Sequence, residues 1–302
     1  MKASAHILIF SLFISTSLSN TAAANMTRYQ TPFEQAIWTF NGDQFSCQIE
    51  HKITGFGSMK MEALPGETLR LELTADWLTL NQTQSSIKIT PPAWKKSHTA
   101  LGETQLIWHG NKATSNTSIN PFLEALEQGF AWQAIIDGRE TASYLVSSSP
   151  VNTGQVANQF RLCRHQLLPK PFSYVRSVEL LFSSGSSQIT MAHETDLDAI
   201  TQYVKADSSI TQVLVDAHAD NNGEHLANLV LSKERADEVA ARLVELGLPK
   251  GLIQVRHHGA REPKVSNKTQ DGRDANRRVM IRLIKRPNKI ATKRTAGVEY
   301  GS

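Results

Sequence analysis

The sequence predicts two domains: a mainly β, barrel-like unit followed by an α/β sandwich. Three observations carry this. Apolar residues alternate with a period of two in stretches of residues 69–146, the spacing of half-buried strands. From 173 to 287, strand-like and helix-like stretches take turns in the order β-α-β-α-β-α-β. Between the two regions stands Pro169-Lys170-Pro171, where two prolines resist both helix and central strand. A length of 302 residues exceeds the usual single domain, and 40% hydrophobic content can fill two cores. The boundaries read as a signal peptide over 1–24, a β-rich domain over 25–168, a linker over 169–172, the second domain over 173–287 and a tail over 288–302.

In chain order, Lys2, an apolar run from Ile7 to Ile14 and Ala22-Ala23-Ala24 read as a secretory signal cleaved after Ala24, with export to the periplasm. The run is too short to span a membrane, and no later segment reaches transmembrane length. No Cys follows the cleavage point, so a lipoprotein anchor is not expected. In an oxidising compartment the two cysteines, Cys47 and Cys163, are expected to form a disulfide tying the first and last strands of the first domain. Leu69 to Leu80, Ser86 to Thr90 and Gln105 to His109 read as strands, and Asp137-Gly138 as the turn of a hairpin over Ala131 to Val146. One helix is expected, capped by Asn120, with Pro121 in its first turn and Gly129 at its end. Trp38, Trp77, Trp94, Trp108 and Trp132 are read mostly as core, the other reading being partner-facing.

The formal charge of +4 is local. Arg282, Lys285, Arg286, Lys289, Lys293 and Arg294 follow one another without an acid, so without them and Lys2 the rest is net acidic, about −3. The high pI therefore reflects a basic tail, expected to be disordered, and not a nucleic-acid-binding face.

In the second domain, Ser173 to Phe182, Leu252 to His257 and Asn276 to Ile284 read as strands, and His193 to Lys205 and Lys268 to Ala275 as helices. The central stretch runs from Val213 to Ala236. A β-branched strand breaks at Asp220-Asn221-Asn222-Gly223, and helical spacing resumes with Ser232 as N-cap, through Ala236, Val239, Ala240, Leu243 and Leu246 to Gly247. On this reading Arg235 lies in the first helical turn. Its guanidinium and the free amides of that turn would share a carboxylate, while Asp220 takes an ammonium group of the same ligand.

His218-Ala219-Asp220, Asn228, the run Leu231 to Ala236, and Gly272 to Val279 (GRDANRRV) occur in the order of the motifs of the OmpA C-terminal-like family, which this region resembles. The resemblance implies a peptidoglycan-binding module that holds the diaminopimelate residue of a stem peptide and needs no cofactor. It implies that Asp220 pairs with the ligand ammonium and Arg235 with its carboxylate, and that Asn228, Leu231, Asn276 and Arg278 line or support the pocket. Two departures stand out: Ala219 replaces the family's Thr, and His257-His258-Gly259-Ala260 replaces its aromatic and Gly pattern. The whole layout is also similar to a ring protein of the sodium-driven flagellar motor. That likeness implies a non-catalytic T-ring component whose first domain attaches to the basal body and meets MotX and the PomA/PomB stator complex. The alternative is a general envelope anchor without a motor role.

A hydrolase is the competing class. His218, Asp220, His225, His257 and His258 lie close in sequence, but adjacent histidines on a strand point to opposite faces and cannot both ligate one ion without a bulge. The chain carries no HExxH, no GxSxG and no cysteine with a partner base. No metal site and no catalytic residue are expected.

Overall fold

A computed structural model describes residues 26–92, 95, 101–138 and 142–286. The expected signal peptide, Trp94 and the tail from 288 lie outside them.

The first domain holds strands β1 (Met26–Gln30), β2 (Trp38–Gly42), β3 (Cys47–Ile53), β4 (Gly57–Ala63), β5 (Arg70–Ala75), β6 (Leu80–Thr90), β7 (Glu103–Gly110) and β8 (Lys112–Ser115). Helix α1 (Asn120–Glu127), strands β9 (Ala131–Asp137) and β10 (Ser143–Ser147) and helix α2 (Thr153–His165) complete it. Its strands form one sheet in the order β1-β10-β9-β6-β7-β8-β5-β4-β3-β2, antiparallel except for β1 on β10. Alternation is clearest in β3, where Cys47, Ile49, His51 and Ile53 turn inward. The sheet curls into a half-barrel around Phe56, Trp108, Phe122, Trp132 and Phe160.

Side chains rather than a strand ladder bridge its two margins. Trp38 Nε1 donates to Ser149 O at 2.9 Å, and Thr31 Oγ1 donates to Lys52 O at 2.8 Å. The Ser149 amide donates to His51 Nε2 at 3.3 Å, which leaves the His51 proton on Nδ1, facing Ile37 O at 3.0 Å. Trp38, Trp108 and Trp132 are core, whereas Trp77 is half exposed.

Two expectations change here. Cys47 and Cys163 are bonded, with Cα atoms 6.0 Å apart, but Cys163 lies in α2 and not in a strand. Val156, Ala157, Phe160 and Cys163 recur at helical spacing on the buried side of α2, so the bridge ties a helix to the start of β3. The hairpin expected over Ala131 to Val146 forms as β9 and β10, with Asp137 opposite Ser143 and the Gly138 amide donating to Ala142 O at 2.8 Å. Asn120 is the first residue of α1, not its cap.

The second domain begins with a single helical turn, α3 (Phe172–Val175), where a strand was expected. It continues through β11 (Ser177–Leu181), α4 (Met191–Ala206), β12 (Ile210–Ala217), α5 (His225–Glu245), β13 (Ile253–His257), α6 (Gln270–Asn276) and β14 (Arg278–Lys285). The β-α-β-α-β-α-β order is as expected, and the sheet order is β11-β14-β12-β13. Helices α4 and α5 cover one sheet face through Leu197, Ile200, Ala236, Val239 and Leu243. Arg282 and Lys285 belong to β14 and pair with Asp216 and Asp207, so the basic run does not begin as a free tail.

The domains pack directly. Leu168 and Phe172 join the second core, Leu168 N donates to Gln44 O at 3.0 Å, and Phe45 meets Tyr203 with ring centroids 5.5 Å apart.

Candidate functional site

Strand β12 lies between β14 and β13, and carries His218-Ala219-Asp220 out of its carboxyl end. Backbone bonds extend beyond the strand: His218 N donates to Arg278 O and Ala219 N to Gly259 O, each at 2.8 Å. Asp220 is therefore delivered into a fixed, buried position. Its Oδ1 accepts the Asn222 amide at 3.1 Å, and its Oδ2 accepts Arg277 Nη1 at 3.0 Å. Asn228 Nδ2 closes the same turn by donating to Asn222 O at 2.9 Å.

Helix α5 starts at His225, so Ser232 is not its cap and Arg235 is not in its first turn. The Ser232 hydroxyl is buried, donating to Leu229 O at 2.9 Å and accepting the Gly259 amide at 3.0 Å. A positive φ of 58° lets Gly259 come this close, and a Cβ there would stand 3.3 Å from Leu229 N. The buried stripe of α5 runs Asn228, Ser232, Arg235, Ala236, Val239, Leu243, so its first half is polar. A search for apolar periodicity therefore starts the helix two turns late.

Arg235 is fully buried, and three of its five N–H donors bond backbone carbonyls. Nε donates to Ser186 O at 2.8 Å, Nη2 to Ser183 O at 3.0 Å and Nη1 to His218 O at 3.2 Å, with the guanidinium 5.3 Å from the Phe182 ring centre. Burial, reinforced by the Arg277 charge, lowers its pKa to about 10, which leaves it protonated at neutral pH. It ties the loop after β11 to the loop after β12. The first-turn amides of α5 lie about 12 to 15 Å away along the axis, so they and Arg235 do not form the joint grip expected for one carboxylate.

Asn276 is fully buried and clamps a loop beside this turn, its Oδ1 accepting Lys264 N at 2.8 Å and Val265 N at 3.2 Å, its Nδ2 donating to Val265 O and Asn267 Oδ1. Leu231 is half-buried on α5. Arg277 is the residue that sequence reasoning missed. It donates to Asp220, to Phe182 O at 3.0 Å and to Asp274; burial works to lower its pKa, and the two carboxylates raise it against that effect. Arg278, one residue on, turns to the opposite sheet face, beside Asp216, His218 and Arg256. Which of two adjacent arginines meets Asp220 depends on strand phase, which composition does not reveal. The structure thus gathers Asp220, Asn228, Arg235 and Arg277 around one turn, with Asn276 behind it, and separates Arg278 from them.

Residues 29–169 match the MotY N-terminal domain family, and residues 181–277 match the OmpA family. The first domain is a MotY N-terminal domain and the second belongs to the OmpA family. Over 281 residues, 90% of this chain and 95% of the relative, the sequence is 26% identical to the sodium-type flagellar protein MotY of Vibrio parahaemolyticus. It is 33% identical over 137 residues to the outer-membrane lipoprotein YfiB of Pseudomonas aeruginosa, spanning 44% of this chain and 81% of that one. Among solved structures, the C-terminal domain of Helicobacter pylori MotB aligns at 18% identity with a TM-score of 0.34, covering 37% of this chain and 87% of that one.

Proposed function

We propose that the chain is a non-catalytic periplasmic component of the sodium-driven flagellar motor, holding peptidoglycan with its second domain and the basal body with its first. The observation that carries this is the 26% identity to a sodium-type flagellar protein over 90% of the chain, both domains included. A stator that bears torque needs a fixed point, and a covalent wall mesh is one. The layout suggests a T-ring location, with MotX and the PomA/PomB complex as neighbours of the β domain.

At the wall site, a stem-peptide ammonium would take the place of Arg277 on Asp220. Arg277 keeps Asp274 and Phe182 O, so the exchange leaves no cation without a partner. Arg235 acts chiefly by holding the walls of the site. The buried methyl of Ala219 adds no hydroxyl contact. Two charge-assisted contacts of about 1.5 to 3 kcal/mol each give modest single-site affinity, which a ring of copies would raise through avidity.

Co-sedimentation of the mature chain with diaminopimelate-type sacculi tests this reading. Wild type should pellet and Asp220→Asn should not; wild type left in the supernatant, or Asp220→Asn pelleting equally, would overturn it. The match to an outer-membrane lipoprotein over 44% of the chain supports a different reading, a general envelope anchor. Swimming decides between them, because a deletion strain with normal motility would reject the motor role.

A further inference from the structure

Helices cover one face of the second sheet; the other is open and carries a groove of about 430 Å3 that wall binding through Asp220 does not use. In β14, Val279, Ile281 and Leu283 face the core, so Arg278, Met280 and Arg282 face the groove. Arg256 approaches from β13, and the His218 and His258 rings stack between the two strands, 4.6 Å apart and 10° from parallel.

The charges are unequally matched. Asp216 is held by Arg282 at 2.7 Å and by His258 Nε2 at 3.4 Å, and Glu179 is held by Lys264 at 2.5 Å. Glu262 stands at the rim with its side chain 75% exposed and its backbone at a φ of 59°. Arg256 donates to the neutral Gln254 amide at 3.2 Å. Arg278 is only 8% exposed, and its Nη2 has one long bond, 3.4 Å to Glu262 O. Its Nη1 is buried with no acceptor among the described residues. A buried guanidinium nitrogen without an acceptor is costly unless another group supplies one.

We infer that this groove is an oxyanion site, in which Arg278 and Arg256 bind a carboxylate or phosphate group over the His218–His258 stack. The site is separate from Asp220, so each can fail without the other.

Calorimetry and thermal melts of the mature chain test it, with sodium phosphate and sodium acetate as probes at fixed ionic strength. Wild type should bind saturably in the millimolar range, and Arg256→Gln and Arg278→Gln should each weaken binding by roughly tenfold or more. Lys233→Gln, on the exposed side of α5, and Asp220→Asn should bind as wild type. A response to phosphate alone assigns a phosphate-bearing ligand, and an equal response to acetate assigns a carboxylate. Without anion, Arg278→Gln should melt at or above wild type, since it removes a buried charge held by a single long hydrogen bond. If it melts lower, the exposed Arg256→Gln decides alone. No saturable binding of either probe, or undiminished binding by Arg256→Gln, would overturn the assignment.

Discussion

Asp220 and Arg235 both belong to the family motif, yet substituting them should have different consequences. Arg235→Ala deprives Ser186 O and His218 O of their donor, leaves Ser183 O with only the Ser186 amide and opens a cavity, an expected loss of about 4 kcal/mol or more, seen as a large fall in the second domain's melting temperature. Asp220→Asn keeps the shape, and Arg277 retains Asp274 and Phe182 O, so about 1 to 3 kcal/mol is expected. The sedimentation test therefore rests on Asp220→Asn. Two histidines set the acid limit. Burial lowers the pKa of His51, and burial with the Arg278 charge brings that of His218 to about 4. Both folded values lie below the unfolded value near 6.5, so neither histidine costs stability at higher pH. As pH falls through 6.5 the unfolded chain protonates first, and His218 alone should cost up to about 3 kcal/mol on reaching pH 4. Melting temperature measured from pH 7.5 to 4.5 should fall, and His51→Gln should flatten the first domain's share of that fall.

At the scale of elements, the bond from β3 to α2 closes 116 residues of sequence and should stabilise the first domain by about 4 to 5 kcal/mol in the loop-entropy model. Reduction under native conditions should lower the first domain's melt and leave the second nearly unchanged. Gly272 tests how α6 supports the site. A Cβ there would stand 2.0 Å from Ser266 O, in the loop that Asn276 clamps. Gly272→Ala should therefore displace 264–267 and cost roughly 2 to 4 kcal/mol, with sacculus binding weakened as well as stability. Legibility varied by element for physical reasons. Strands β7 and β14 and helix α4 show alternation or apolar spacing and were readable. The start of α5 was not, because Asn228, Ser232 and Arg235 occupy its buried stripe, and α2 went unread because its mean composition is polar.

For the whole molecule, Pro169-Lys170-Pro171 joins two units that touch. With Leu168 and Phe172 packed in the second core, a fragment of 166–286 should melt several degrees above one of 173–286. Phe45 meets Tyr203 across the boundary. Phe45→Ala should widen the gap between the two domains' unfolding transitions in calorimetry, whereas an unchanged gap would mean that coupling lies elsewhere.

The sequence by itself determined the two-domain plan, the alternating α/β order of the second domain, the cysteine pair and the region that carries Asp220. These follow from periodicity, turn residues and ordered motifs, all local in the chain. Tertiary structure decided that Arg277 and not Arg278 meets Asp220, that Arg235 is spent on three backbone carbonyls, and that Cys163 sits on a helix. Each of these depends on which face of a strand or helix is buried and on what lies across from it. That is a property of packing between residues up to about a hundred positions apart, which local spacing does not encode.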